Sequence, residues 1–222
     1  MKNISLDRLW SSRSSSRVLA TGVWSALAAV LLTTESAQAH HPFGGETPTT
    51  FFQGFLSGLG HPVIGFDHLA FVIAVGLLAA VLRRGIWVPV AFVLATLVGT
   101  GVHLAELNLP EPELVITTSV LLFGALAVMR DRLNAVVVIL LAAIAGVFHG
   151  YAYGEAIVGA EATPLLAYLI GFAGAQGVIS YLSYFLAQRG LNQDRTAGLI
   201  SVRHAGFAIL GAGAAFFGGL VA

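Results

Sequence analysis

The chain of 222 residues contains no cysteine, and only 10% of its residues are charged. Without cysteine there is neither a disulfide framework nor a thiolate metal site, so a bound metal must use imidazole, carboxylate, backbone or water ligands. The formal net charge is zero, and a nucleic-acid partner would demand a surplus of Lys and Arg. A soluble domain carries about a quarter charged residues, whereas 57% of this chain is hydrophobic. The composition therefore predicts an integral protein of the lipid bilayer.

The amino-terminal segment, residues 1–39, has the three parts of a signal peptide. A basic region is followed by a compact apolar run over residues 18–32, and Ala37-Gln38-Ala39 is a small-x-small cleavage site. A retained helix would need about 20 apolar residues to span a bilayer, more than this run offers. We expect cleavage after Ala39. His40 and His41 would then stand at the new terminus, either as an external metal-capture site or as part of a flexible tail without function.

Residues 40–61 are expected to form a periplasmic tail and an interfacial segment. The stretch from Thr50 to Gly60 is rich in Phe and Gly and too brief to cross a bilayer, which favours an interfacial or re-entrant position. Pro62 suits the first turn of a helix, where its missing N–H costs nothing. The first span should therefore begin at Pro62, with His61 near the N-cap.

The remainder, residues 62–222, is predicted to be an all-α, polytopic bundle of six transmembrane helices. At about 1.5 Å per residue each segment is long enough to cross about 30 Å of hydrocarbon. The expected spans cover residues 62–82, 86–106, 113–129, 134–154, 164–187 and 197–222. Glycines at every third or fourth position should let helix backbones approach closely. They are Gly146, Gly150 and Gly154 in the fourth span and Gly171, Gly174 and Gly177 in the fifth.

The loops between the predicted spans alternate in charge. Those after the first, third and fifth spans carry arginine, whereas the others carry glutamate and neither Lys nor Arg. By the positive-inside rule the arginine loops are cytoplasmic, so both mature termini should be periplasmic. We therefore predict a multi-pass protein of the bacterial plasma membrane, with a homo-oligomer left open. The loop arginines are Arg83, Arg84, Arg130, Arg132, Arg189 and Arg195.

Ionisable side chains within spans are costly and indicate function. In the predicted topology most of them fall in the external half of the membrane. Imidazole with carboxylate suits a borderline divalent cation, the carboxylate either binding the ion or orienting a histidine. The candidates are His61, Asp67, His68, His103, Glu106, His149 and Glu155.

The spacing of these candidates gives further expectations. His61 and His68 are seven residues apart, or two turns, and are expected to lie on one helix face. His103 and Glu106 are three residues apart and are also expected to be neighbours on one face. Glu106 and Glu155 stand at helix ends and could instead simply face external water. The histidine of the sixth span, His204, is expected to hydrogen-bond between helices.

A resemblance to a known family is carried by two segments, His61-Pro62-Val63-Ile64-Gly65-Phe66-Asp67-His68 and Phe148-His149-Gly150-Tyr151-Ala152-Tyr153-Gly154-Glu155. The first, preceded by Gly54-Phe55 and Gly58-Leu59, resembles the signature of the HupE/UreJ family of hydrogenase and urease accessory permeases. The second is similar to the family's fourth-span motif, which typically has a second histidine at the position of Tyr153. The resemblance covers essentially the whole mature chain.

The resemblance implies uptake of Ni²⁺ or, as in some members, Co²⁺. It also implies that the metal is handled by His61, Asp67, His68, His149 and Glu155. Tyr153 leaves the choice of metal open, with Zn²⁺ and Cu²⁺ as further candidates, because a neutral phenol is a poor ligand for Ni²⁺.

We accordingly predict a secondary permease for Ni²⁺ or Co²⁺, not an enzyme, with no prosthetic group. The chain has no Gly-x-x-x-x-Gly-Lys-Ser/Thr motif, so drive from ATP would need another subunit. The membrane potential alone offers about 4.6 kcal/mol per 100 mV for two charges. The alternative from another class is an intramembrane zinc hydrolase, in which three histidines hold Zn²⁺ and Asp67 activates water.

Overall fold

The computed structural model describes residues 46–129 and 133–222, in which every regular element is an α-helix. This confirms the predicted all-α class. The predicted signal peptide, His40, His41, Arg130 and Arg132 lie outside the described residues. The helices are α1 (Phe51–Ile64), α2 (Phe66–Val81), α3 (Trp87–Leu104), α4 (Pro112–Val128), α5 (Ala135–Glu155), α6 (Ala162–Gln193) and α7 (Arg195–Val221).

Four of these helices, α3, α5, α6 and α7, are long and apolar enough to cross a membrane. Helices α1 and α2 pass the same test only as a pair, and they meet at a bend of 79°. Helix α4 has 17 residues, fewer than the roughly 20 of a straight crossing. The described chain thus has the helices of a membrane protein, with four spans or five if the bent pair is one span. The count of six stays a prediction.

The start of the first span differs from the prediction. Thr50 begins α1 with a capping box to Gln53, so the supposed interfacial segment and His61 belong to one helix. Pro62 lies inside the last turn of that helix, and His61 is not at an N-cap. Proline is tolerated there because it removes only one hydrogen bond close to the helix end.

Gly65, three residues after Pro62, is where the helix actually breaks. It has an extended backbone conformation between α1 and α2. A Cβ atom added at Gly65 would lie 2.6 Å from the ring of His68, closer than real side chains pack. Glycine therefore allows the imidazole to fold back over the bend. His61 and His68 lie on two helices, and the prediction that they share one helix face is wrong.

Close packing through glycine joins α3 to α5. Added Cβ atoms at Gly146, Gly150 and Gly154 would each collide with α3, which confirms the packing role predicted for these residues. The prediction is also confirmed at Gly171, which abuts α1. It is wrong at Gly174 and Gly177, where an added Cβ would meet none of the described residues within 4 Å.

Helix α6 runs alongside α1 and then α2. Gly58 of α1 packs on the carbonyl of Tyr168, and further along Gly76 of α2 packs on the carbonyl of Ser180. Near the end of both helices the Gln188 amide donates a 2.7 Å hydrogen bond to the Ala80 carbonyl. The arginines that follow α2 and those that end α6 therefore lie at the same end of the bundle.

The centre of the bundle is α2. Its side chains are buried on nearly all sides, as expected of a helix that is hydrophobic all round. Large apolar side chains on the outer helices, such as Leu94 and Leu140, are instead exposed on the protein surface, where lipid tails can cover them. The buried residues of α2 include Phe71, Val72, Val75 and Leu78.

The glycine contacts give a matched pair of stability variants. Gly150→Val should destabilise the bundle by roughly 1–3 kcal/mol or more, because the new side chain collides with the Thr96 backbone. Gly174→Val introduces the same helix-disfavouring side chain into open space and should leave the melting temperature in detergent nearly unchanged. Equal melting temperatures for the two variants would contradict the packing of α3 on α5.

Candidate metal centre

Two histidines from distant parts of the sequence meet inside the bundle. His68 lies in the first turn of α2, and His149 lies about two turns before the end of α5. Their Nδ1 atoms are 2.8 Å apart, and both side chains are buried. Two nitrogen ligands about 2.0–2.1 Å from one metal ion are about 3 Å apart when their bonds form a right angle. The spacing is therefore close to that of neighbouring ligands on one ion.

Ser119 of α4 fixes the orientation of His149. Its hydroxyl lies 2.6 Å from the Ile116 carbonyl and 2.9 Å from Nε2 of His149. A hydroxyl has one proton, and the shorter contact to a carbonyl, which can only accept, claims it. We therefore assign the donor to Nε2–H of His149, so that Nδ1 presents its lone pair toward His68.

The same logic applies to His61 and Tyr168 of α6. The Tyr168 hydroxyl donates to the Tyr153 carbonyl at 2.7 Å and lies 2.8 Å from Nδ1 of His61. Because its proton is committed to the carbonyl, Nδ1 of His61 must be the donor. The other ring nitrogen, Nε2, is then the acceptor of a neutral imidazole.

Tyr153 lies between the histidines. Its ring is edge-on to His61 at 4.8 Å and to His68 at 4.6 Å, measured between centroids. The side chain is fully buried, and its hydroxyl has no hydrogen-bond partner among the described residues. The residue that departs from the family motif is therefore central to the cluster.

Carboxylates stand beside the histidines at the helix ends opposite the arginines. Asp67 is half-buried, and its Oδ1 accepts a 2.8 Å hydrogen bond from the backbone N–H of His68. Glu113, in the first turn of α4, lies close enough to Asp67 and Glu155 to be repelled by both. Glu155 itself is exposed. Three carboxyl groups thus lie at the end of the bundle that carries the histidines.

Two candidates from the sequence occupy other positions. His103 packs edge-on against Tyr151, with 4.5 Å between ring centroids, and its Nδ1 is buried with no partner in the part of the chain described. Glu106 lies beyond the end of α3, exposed, with a left-handed φ of 57°. The two do not share a helix face, because the helix ends at Leu104. His204 is exposed on α7, and it forms no hydrogen bond to another helix within residues 46–129 and 133–222, contrary to the expectation.

A layer of aromatic rings closes the other side of the histidine pair. The Phe71 centroid is 4.4 Å from the His149 ring and 4.4 Å from that of Phe123, and Phe92 lies 5.0 Å from Phe71. All three phenylalanines are fully buried. The direct way from His149 toward the arginine end of the bundle is therefore apolar.

The described residues contain no group of three or more His, Asp or Glu side chains that could hold a metal ion. What they provide is a hydrogen-bonded pair of imidazoles, in which Ser119 orients the lone pair of His149, with a carboxylate close by. Ser119, Tyr168 and Glu113 were not among the sequence candidates. A polar residue within an apolar segment was their only signal, and serine in helices commonly bonds its own backbone.

Comparisons with known proteins bear on the resemblance. A family model described as HupE / UreJ protein matches residues 18–216, which include every histidine and carboxylate of the cluster. The curated Protein HupE of Rhizobium leguminosarum bv. viciae is 32% identical over 169 residues, covering 75% of this chain and 85% of that protein. No solved structure matches. The family expected from the two sequence segments is confirmed.

The orienting role of Ser119 is testable by substitution. Ser119→Ala removes the acceptor of His149 Nε2–H and should weaken Ni²⁺ or Co²⁺ binding by about 10- to 100-fold, as loss of such supporting partners does elsewhere. The neighbouring Thr118 is exposed, so Thr118→Ala serves as the control and should bind like the wild type. Equilibrium dialysis of the purified proteins measures both. Equal affinities would mean that Ser119 does not orient a ligand.

Proposed function

The chain belongs to the HupE/UreJ family, and on that premise we propose that it is a permease importing Ni²⁺ or Co²⁺ across the bacterial plasma membrane. The observation that carries the proposal is the 2.8 Å approach of His68 Nδ1 to His149 Nδ1 within a bundle of apolar helices. Imidazole is a ligand that suits both metals. Burial of two ionisable groups in a membrane protein is costly, so their presence there indicates a function.

The carboxylates give the pair an approach for cations. With the arginine ends placed in the cytoplasm by the positive-inside rule, Asp67, Glu113 and Glu155 stand at the external end. Their charge raises the local concentration of a divalent cation, and Asp67 is close enough in sequence to His68 to join its coordination. His61 and Tyr153 complete the wall of the site.

A site of this kind binds the metal ion weakly enough to release it. Two imidazoles, one carboxylate and retained water ligands hold an ion less tightly than a closed protein cage, and transport requires that the ion leave again. An ion bound between the two Nδ1 atoms would take the place of the proton that lies there, and His68 would remain a neutral imidazole with its proton on Nε2. The membrane potential then favours inward movement of the two positive charges.

No specific feature of the described residues favours the alternative function, an intramembrane zinc hydrolase. It requires three histidines on one ion, whereas the described residues contain no group of three or more His, Asp or Glu side chains that could hold a metal ion. The family is associated with metal transport rather than catalysis. The permease is therefore the function we propose.

Substitution of one imidazole tests the proposal. In cells that express His149→Ala, the initial rate of radioactive Ni²⁺ or Co²⁺ uptake at limiting metal should fall by at least about tenfold, since a lost ligand costs more than about 1.4 kcal/mol. His204→Ala removes an exposed histidine of α7 and should leave uptake unchanged. Both variants must be present in the membrane at wild-type level. Undiminished uptake by His149→Ala would refute the site.

Tyr153 gives a second test, of metal preference. Tyr153→His introduces a third imidazole between His61 and His68 and should tighten Ni²⁺ binding by roughly tenfold. Tyr153→Phe keeps the ring but removes the buried hydroxyl, and it should bind Ni²⁺ like the wild type. Competition between Ni²⁺, Co²⁺ and Zn²⁺ on the purified variants measures the change. Weaker Ni²⁺ binding by Tyr153→His would show that the position does not face the ion.

A further inference from the structure

A buried amide lies on α6 near the histidine pair. Gln176 is fully buried, and a polar side chain in such surroundings is costly unless its hydrogen bonds are made. One end of the amide lies 3.3 Å from the Thr96 hydroxyl of α3. The other end, placed as Nε2, has no hydrogen-bond partner among the described residues. Half of this amide is therefore directed into the bundle without a protein partner there.

The hydroxyl of Thr96 decides which end of the amide is unpartnered. It lies 2.7 Å from the Val93 carbonyl, so its single proton is already donated and it cannot also donate to Gln176 at 3.3 Å. Because the two ends of an amide are assigned from their hydrogen bonds, the consistent orientation has the Gln176 nitrogen donating to Thr96. The unpartnered atom is then the carbonyl oxygen, a ligand for cations.

Two contacts link Gln176 to the site already described. Thr96 packs directly against Gly150, the neighbour of His149 in sequence. Phe172, one turn before Gln176 on α6, packs on Tyr153 with 5.2 Å between ring centroids. Gln176 is thus joined to the surroundings of the histidine pair by Thr96 on α3 and by Phe172 on its own helix.

Helix α6 continues from Gln176 toward the arginine end with a further polar group. Ser180 is one turn on and buried. Beside it the helix borders a groove of about 330 Å³ against α3, lined in part by Val93, Gly177 and Tyr184. The Ser180 hydroxyl donates to the backbone carbonyl of Gln176 at 2.7 Å, and the groove itself is lined mainly by apolar side chains.

We propose that the Gln176 carbonyl, steadied by Thr96, forms an inner binding site through which a partly hydrated divalent cation passes after it leaves His68 and His149. The inference rests on the proposed function. Neutral oxygen ligands hold Ni²⁺ or Co²⁺ more weakly than imidazole and carboxylate, so an ion that reaches them is on its way to release.

A purely structural role of Gln176 would lead to a different effect of its substitution. If Gln176 only joins α3 to α6 by a hydrogen bond, Gln176→Leu replaces a half-satisfied amide by an apolar side chain of similar size. Such a change is near neutral or stabilising for the fold and has no reason to slow transport.

The experiment measures binding and transport separately. Wild type, Gln176→Leu, Gln176→Glu and the control Ser201→Ala are purified and reconstituted in vesicles with an inside-negative potential. Ser201 is exposed on α7 and bonds its own backbone. Equilibrium binding of radioactive Ni²⁺ reports on the histidine pair, and the initial rate of Ni²⁺ uptake reports on the whole route.

If Gln176 forms the inner site, its substitution should change the rate of Ni²⁺ uptake but not the equilibrium binding of Ni²⁺ to the histidine pair. Gln176→Leu should bind Ni²⁺ within about twofold of the wild type but transport it about tenfold more slowly, the factor expected for one lost polar partner. Gln176→Glu, with a charged oxygen ligand at the same place, should retain a second Ni²⁺ per chain. Ser201→Ala should match the wild type in both assays.

Other outcomes overturn the proposal in distinguishable ways. Wild-type uptake by Gln176→Leu removes the inner site and leaves the permease intact. If Gln176→Leu loses equilibrium binding of Ni²⁺ and Gln176→Glu retains no second Ni²⁺, then Gln176 supports the histidine pair and does not form a later site. A wild-type protein that neither binds nor transports Ni²⁺ or Co²⁺ refutes the proposed function, and the inner site with it.

Discussion

A hydroxyl group has a single proton, and in this bundle the hydroxyls that contact His61 and His149 donate theirs to backbone carbonyls. Ser119 donates to Ile116 at 2.6 Å, and Tyr168 donates to Tyr153 at 2.7 Å. Each imidazole must therefore donate one N–H to its hydroxyl and keep its other nitrogen as an acceptor. Lone pairs are oriented in this way without any buried charge, which a membrane interior would penalise. The proposed metal site depends on this arrangement.

The packing that creates these contacts is supplied by glycine. Gly65 lets the chain turn by 79° between α1 and α2, so that His61 and His68 approach Tyr153 from two helices. Gly58 brings α1 against the backbone of Tyr168, and Gly150 brings α5 against that of Thr96. The same small residues that allow helices to associate in lipid thus set the distances between the polar groups.

The ionisable residues of the site could be predicted from the sequence, but most of the side chains that contact them could not. Asp67, His68 and His149 stood out because charge and imidazole are rare inside apolar segments, and the structure does bring the two histidines together. Pro62 suggested the wrong helix start, since a proline near a helix end is compatible with a first turn and with a last turn alike. His103 matched the level of the cluster, but its position around the helix axis depends on how α3 packs on α5. Ser119, Tyr168 and Gln176 acquire their roles only from partners 15 to 107 residues away, which no local pattern records.

The central claim is that His68 and His149 bind one ion together. Nickel K-edge X-ray absorption of the purified, Ni²⁺-loaded protein in detergent tests it most directly, because scattering from imidazole rings is distinct from that of water and carboxylate oxygen. The account predicts two imidazole ligands in the wild type and one in either His68→Ala or His149→Ala at saturating metal. A spectrum with oxygen ligands alone, or one that neither substitution changes, would contradict it.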